Sequence, residues 1–210
     1  MRQVRSARAV LFAAVISAAG GSAAANLVVN GSFEDPWLGG FNTTYGAGWP
    51  FLTGWTIGGE GIDHDAAFQA ADGHQSVSTR WHDPSWIEQT IGTAAAQSYV
   101  VSFAATRERP EGSTAAEAST RGVEVWWNSL LVGSVTLPPD LTQTNADMHW
   151  KYYSFVVTGS GLDTLKLKDI DSGVPGYGAQ LDDVRCVAVP TPAGTIPMML
   201  AFIAGSRRRR

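Results

Sequence analysis

The stretch Val123-Glu124-Val125-Trp126-Trp127-Asn128 carries apolar side chains at its odd positions, and this period of two is the feature that most limits the fold. Alternation sets one side of a strand on a core and the other toward water, whereas a helix repeats every 3.6 residues. The pattern returns in Tyr99-Val100-Val101-Ser102-Phe103-Ala104, odd residues inward, and in Leu165-Lys166-Leu167-Lys168. Trp150 to Thr158 offers Tyr153, Phe155 and Val157 as one face. Shorter candidates are Leu27 to Val29, Trp55 to Ile57, Gln75 to Thr79, Trp86 to Ile91, Leu130 to Thr136 and Leu181 to Val187. About ten short strands at this spacing predict an all-β antiparallel sandwich. Gly39 to Pro50 and Arg107 to Thr120 read as loops, the second with a helical turn at Ala115 to Ala118. No repeat or long linker divides 26–188, which is expected to form one domain.

The two ends have a different character. Residues 1–25 begin with Arg2, Arg5 and Arg8, continue through the apolar run Ala9 to Ile16, and end in Ala23 and Ala25 as an A-x-A site. Cations, then a short greasy run, then small residues make a secretory signal peptide, removed by signal peptidase before Asn26. The run is too short for a permanent anchor, which needs about 20 apolar residues. Residues 189–210 hold Val189-Pro190-Thr191-Pro192, an apolar stretch, and Arg207, Arg208, Arg209 and Arg210. A basic cluster behind an apolar stretch holds a chain transiently at the inner membrane, arginines in the cytoplasm. This tail resembles the PEP-CTERM sorting signals of exopolysaccharide-producing Gram-negative bacteria and planctomycetes, which implies an exosortase-type membrane protease as partner. Thr191 stands where that motif has Glu, and Pro197 interrupts the apolar stretch. The other reading of the tail is a solvated basic extension.

With both ends set aside, the body holds eight Lys and Arg against nineteen Asp and Glu, a balance of −11. Such a surface repels phosphate backbones, so nucleic acid is not an expected partner. It suits a hard cation such as calcium. Cys186 is the only cysteine, which excludes an intrachain disulfide and leaves stability to the core.

Four segments carry a family likeness: Asn26 to Glu34 with Gly54-Trp55 downstream, Ala71 to Val77, Gln89 to Phe103, and Gly178 to Val184. In this order they resemble the choice-of-anchor C and DUF642 group of extracellular proteins. The resemblance implies a galactose-binding-like jelly roll displayed at the cell surface or in the extracellular matrix of a Gram-negative-type bacterium. It further implies that the first and last strands run side by side, bringing Glu34 near Asp182 as ligands of a structural Ca2+. Asp183 is then a solvent-facing neighbour. The alternative is that both carboxylates accept hydrogen bonds from turn amides.

Aromatic side chains on the outward side of strands can stack on sugar rings while amides and carboxylates meet the hydroxyls. Alternation turns Trp126 outward from Val125 and Trp127, and Trp81 and Trp86 flank the turn residues Asp83-Pro84. The expected glycan contacts are therefore Trp81, Trp86 and Trp126, with hydrogen bonds from Asn128, Glu88 or Gln89. Trp37, Trp49 and Trp55 are read as core or loop-packing residues. Asp63-His64-Asp65, His74 and His82 match no zinc spacing, and a loop of solvated polar residues accounts for them. No nucleophile elbow, zincin helix or phosphate loop is present, and no catalytic residue is assigned. The expected function is non-catalytic polysaccharide binding, with a structural or adhesive surface role and a polysaccharide-active enzyme as alternatives.

Overall fold

Among the described residues eleven strands form, most of them from these alternating segments: β1 (Thr43–Gly46), β2 (Thr56–Gly58), β3 (Gly61–Asp65), β4 (Ser76–Ser78), β5 (Trp86–Gly92), β6 (Ser98–Arg107), β7 (Arg121–Trp127), β8 (Leu130–Leu137), β9 (Lys151–Thr158), β10 (Leu162–Asp169) and β11 (Ala179–Ala188). The computed structural model describes residues 25–79, 85–107, 121–140, 142–170 and 178–190. The leader through Ala24, Trp81, the expected turn at Ala115 to Ala118, and Thr191, Pro192 and Arg207 to Arg210 lie outside the described residues.

One sheet runs β1-β3-β4-β11-β6-β9 and the other β2-β5-β10-β7-β8. Every neighbouring pair is antiparallel. The inward residues of both sheets meet in one core, with Val101, Phe103, Val77 and Leu181 from the first and Ile87, Leu165, Leu167, Val123 and Val125 from the second, all fully buried. The odd residues expected inside β6, β7 and β10 are inside. Tyr153, Phe155 and Val157 of β9 pack on the same core. Two antiparallel layers with a single shared core are the expected sandwich.

β11 breaks strict alternation, and the break is productive. Leu181 is inward, and so are Val184 and Cys186, because a bulge between Asp182 and Arg185 adds one residue to the strand. Asp183 takes a φ of 46° there and sits buried against Arg185, whose Nε and Nη2 donate to it at 2.7 and 3.0 Å. It is thus an ion-paired residue of the bulge, which corrects its reading as solvent-facing. The N-terminal segment runs beside β11: Leu27 N donates to Cys186 O and Val184 N to Gly31 O, both at 2.9 Å.

Two strands had no clear sequence signal. β1 falls in the segment read as a Gly-rich loop. β3 contains Asp63-His64-Asp65, and the solvated-loop reading of these residues is wrong. His64 faces the core and its Nε2 hydrogen-bonds Phe33 O at 2.7 Å. Burial lowers its pKa, so the imidazole is neutral in the physiological range. On the other side of β3, Asp65 is buried and accepts from Gln180 Nε2 at 2.7 Å. Burial pushes Asp65 up to about 7.

Candidate functional site

The outer side of the five-stranded sheet sets two indoles, two lysines and two carboxylates side by side. β10 lies between β5 and β7, and its register sets two cross-strand rows. Trp86 stands opposite Lys168, which stands opposite Glu124; Glu88 stands opposite Lys166, which stands opposite Trp126. The second row is the first with its ends exchanged, so the patch reads similarly from either direction. Each side chain points outward because its neighbours Ile87, Leu165, Leu167 and Val125 point in.

Contacts within and between the rows hold the side chains in place. Lys166 Nζ lies 2.9 Å from Glu88 Oε2 and 5.1 Å from the centroid of the Trp86 ring. Lys168 Nζ lies 3.6 Å from Glu124 Oε2, and Trp126 Nε1 donates to that same oxygen at 3.0 Å. Cross-strand ion pairs and a cation over an indole each contribute modestly at a half-exposed site. Their larger effect is to restrict rotamers.

Gly58 of β2 completes the arrangement. It pairs with Trp86, and a Cβ there would stand 2.2 Å from Trp86 Cε2 and 2.4 Å from Cζ2 and Nε1. The indole therefore rests on bare backbone. Trp86, Trp126, Asn128, Ser129, Lys166 and Lys168 line a shallow depression on this face. Trp86 and Trp126 are two strands and two residues apart, about 12 Å from the usual sheet spacings.

Of the sequence-expected contacts, the sheet brings together Trp86, Trp126, Glu88 and Asn128. Gln89 belongs elsewhere. It shares the inward parity of Ile87 and Ile91, is 6% exposed, and pins the N-terminal segment. Its Oε1 accepts Val29 N at 2.7 Å and its Nε2 donates to Val29 O at 2.9 Å. Asn128 borders the depression, but its amide is already engaged. It turns the β7–β8 hairpin at a φ of 57°, donates to Asp163 Oδ1 at 2.8 Å and accepts Thr164 N at 2.9 Å. Burial opposes ionisation of Asp163, yet hydrogen bonds from Ser160, Thr93 and Asn128 outweigh it and hold the carboxyl below the usual range.

Lys166, Lys168, Glu124 and Gly58 belong to this face as well, and sequence reasoning did not name them. The alternation in Leu165 to Lys168 put both lysines outward, and no more was legible without the pairing of β10.

The expected calcium ligands are both tied to one loop. Glu34 Oε1 accepts the N–H groups of His74 and Gln75 at 2.6 and 2.8 Å. Asp182 Oδ2 accepts those of Ala71 and Asp72 at 2.7 and 2.9 Å, and Oδ1 that of Asp183 at 2.6 Å. Gly73, at a φ of 75°, lets the loop close on Glu34, since a Cβ there would lie 2.4 Å from Oε1. Burial pushes Asp182 up to about 8, against the pull of its amide donors Asp72, Asp183 and Ala71. These carboxylate oxygens face N–H hydrogens, an arrangement that does not fit a cation as it stands. Among the described residues no group of three His, Cys, Asp or Glu is placed to hold a metal ion.

The loop tryptophans divide. Trp55 is buried and donates to Asn30 O at 3.1 Å, as a packing residue should. Trp37 and Trp49 are 59% and 50% exposed, so neither is a core residue, and of the two readings loop packing is the one that fits. Trp49 meets Phe51 edge to face, and Trp37 meets His74 likewise.

No protein-family model matches the chain, and no curated protein matches it in sequence. Solved structures do match in shape. A cyclase from Fischerella sp. TAU superposes with a TM-score of 0.55 at 14% identity, covering 81% of this chain and 100% of its own. The carbohydrate-binding module TmCBM61, solved with β-1,4-galactotriose, superposes at 0.52 and 14% identity, covering 79% and 99%. The fold is a jelly roll. At these identities the likeness reaches no further than the fold, and a jelly roll hosts both binding modules and enzymes.

Proposed function

We propose that this jelly roll is a non-catalytic module that binds polysaccharide on the outer side of its five-stranded sheet. The paired rows Trp86-Lys168-Glu124 and Glu88-Lys166-Trp126 carry the reading. Two indoles supply apolar faces for sugar rings, and the lysines and glutamates between them offer donors and acceptors to hydroxyls. Trp86 and Trp126 both line the one depression, and their two indoles suit an oligomer or polymer as ligand. Trp81 belongs to the same proposal from the sequence.

The address follows from the two ends. The chain is exported by its leader, belongs with the choice-of-anchor C and DUF642 group, and is released or anchored through a variant PEP-CTERM tail read by an exosortase-type protease. Its place is the cell surface or extracellular matrix. Intact mass of the native protein tests this, since a product retaining Met1 contradicts export.

Affinity electrophoresis against a polysaccharide panel tests the binding. Retardation that is lost in Trp86→Ala and Trp126→Ala supports it, and no retardation on any polymer refutes it. A purely adhesive role would then lead, favoured by the exposed aromatics Trp37, Phe41, Trp49 and Phe51. Release of reducing sugar from the same polymers would instead make the chain an enzyme. Calcium enters only as a competitor of the loop amides for Glu34 and Asp182. A melting temperature raised by calcium over EDTA would add the ion, and an unchanged one would leave both acids to the loop.

A further inference from the structure

We infer that the outer face of the five-stranded sheet takes an uncharged polysaccharide and rejects polyanions such as polyuronates. The inference rests on the glycan-binding reading of that face and narrows it to one ligand class.

Charge balance carries the argument. The face presents two cations, Lys166 and Lys168, and each has its own carboxylate, Glu88 at 2.9 Å and Glu124 at 3.6 Å. Among the described residues of this face no lysine is left without a carboxylate for a uronate or sulfate, which would have to take a lysine from its glutamate and leave that carboxylate beside the incoming anion. Lys166 is committed a second time, over the Trp86 ring at 5.1 Å. Glu124 is likewise held twice, by Lys168 and by Trp126 Nε1 at 3.0 Å. A neutral hydroxyl asks for no such exchange: it can donate to a remaining carboxylate lone pair or accept a remaining ammonium hydrogen with both pairs intact. The body around the face, with its balance of −11, adds a long-range field that repels any polyanion.

Affinity electrophoresis of the wild-type protein on matched neutral and polyuronate gels, at low and high salt, tests this. Neutral polymers such as galactan or β-glucan are expected to retard it at least about tenfold more strongly than polygalacturonate or alginate. Raising NaCl from about 20 mM to about 500 mM should change the neutral retardation by less than about twofold, because charge does not drive it. The double variant Glu88→Gln, Glu124→Gln frees both lysines while keeping an acceptor at each position, and is expected to gain retardation on polyuronate at low salt. Wild-type retardation that is as strong on polyuronate and fades with salt would overturn the inference while leaving glycan binding standing. Failure of every polymer to retard the wild type would overturn both.

Discussion

Replacing Gly58 by alanine should disable the Trp86 platform without unfolding the domain. The added Cβ would stand 2.2 Å from Trp86 Cε2 and 2.4 Å from Cζ2 and Nε1, where ordinary contact between such atoms is about 3.5–4.0 Å. The indole must therefore retreat by more than about 1 Å or change rotamer. Gly58 is not one of the glycines at positive φ, so alanine suits its backbone, and the loss of unfolded-chain freedom favours the variant by about 0.4–1 kcal/mol. Moving the indole off its rest opposes that gain, so the net loss of stability should stay within about 1–3 kcal/mol. Binding should not be spared: an aromatic contact is worth about 0.5–1.5 kcal/mol beyond its buried area, or roughly two- to tenfold in Kd. Affinity electrophoresis on the best-retarding neutral polymer reads the loss, with Trp86→Ala as its floor and a urea melt as the control for folding. A Gly58→Ala protein that melts like wild type and is retarded like wild type would refute the platform.

Three further predictions concern the scaffold. Asp65 binds a proton up to about pH 7 when folded but only to about 4 when unfolded, so the native state holds more protons between these values and stability falls as pH rises through them, by up to about 1.4 kcal/mol per unit. Urea melts from pH 5 to 7 should show this slope reduced in Asp65→Asn, and equal slopes in both proteins would count against it. Gln89→Ala should cost about 1–3 kcal/mol by leaving Val29 N and O without their side-chain partner, while polymer retardation is unchanged; a binding loss at unchanged stability would return Gln89 to the site. Asn128→Ala should also cost about 1–3 kcal/mol, since it loses the bonds to Asp163 and Thr164 and puts alanine at a φ of 57°. Asn128→Gly, which suits that φ, should cost less, and the reverse order of melting temperatures would be inconsistent with a hairpin role.

Much of the sandwich is legible in the chain because period two is a local property. Val123, Val125 and Trp127 inward and Trp126 outward follow from adjacency alone, as do Leu165 and Leu167 against Lys166 and Lys168. The same rule applied to Ile87, Gln89 and Ile91 already turns Gln89 inward, so its place was readable and its chemistry argued against the parity. β1 and β3 were not readable. Thr43-Thr44-Tyr45-Gly46 is only four residues long in a Gly-rich segment, and Gly61-Ile62-Asp63-His64-Asp65 is too rich in Gly and Asp to look like a strand; β1 is held by pairing with β3, and β3 by pairing with β1 and β4.

By itself, then, the sequence determined which side chains of β6, β7 and β10 face out, the acidic balance of the body and the distinct character of both ends. Tertiary structure alone decided which strands lie side by side. Pairing brings Glu88, Lys166 and Trp126 into one row from segments far apart in the chain, and slides Gly58 beneath Trp86. Side-chain parity is set by neighbours one residue away, but register is set by how whole faces bury against a common core, and no local pattern carries that information.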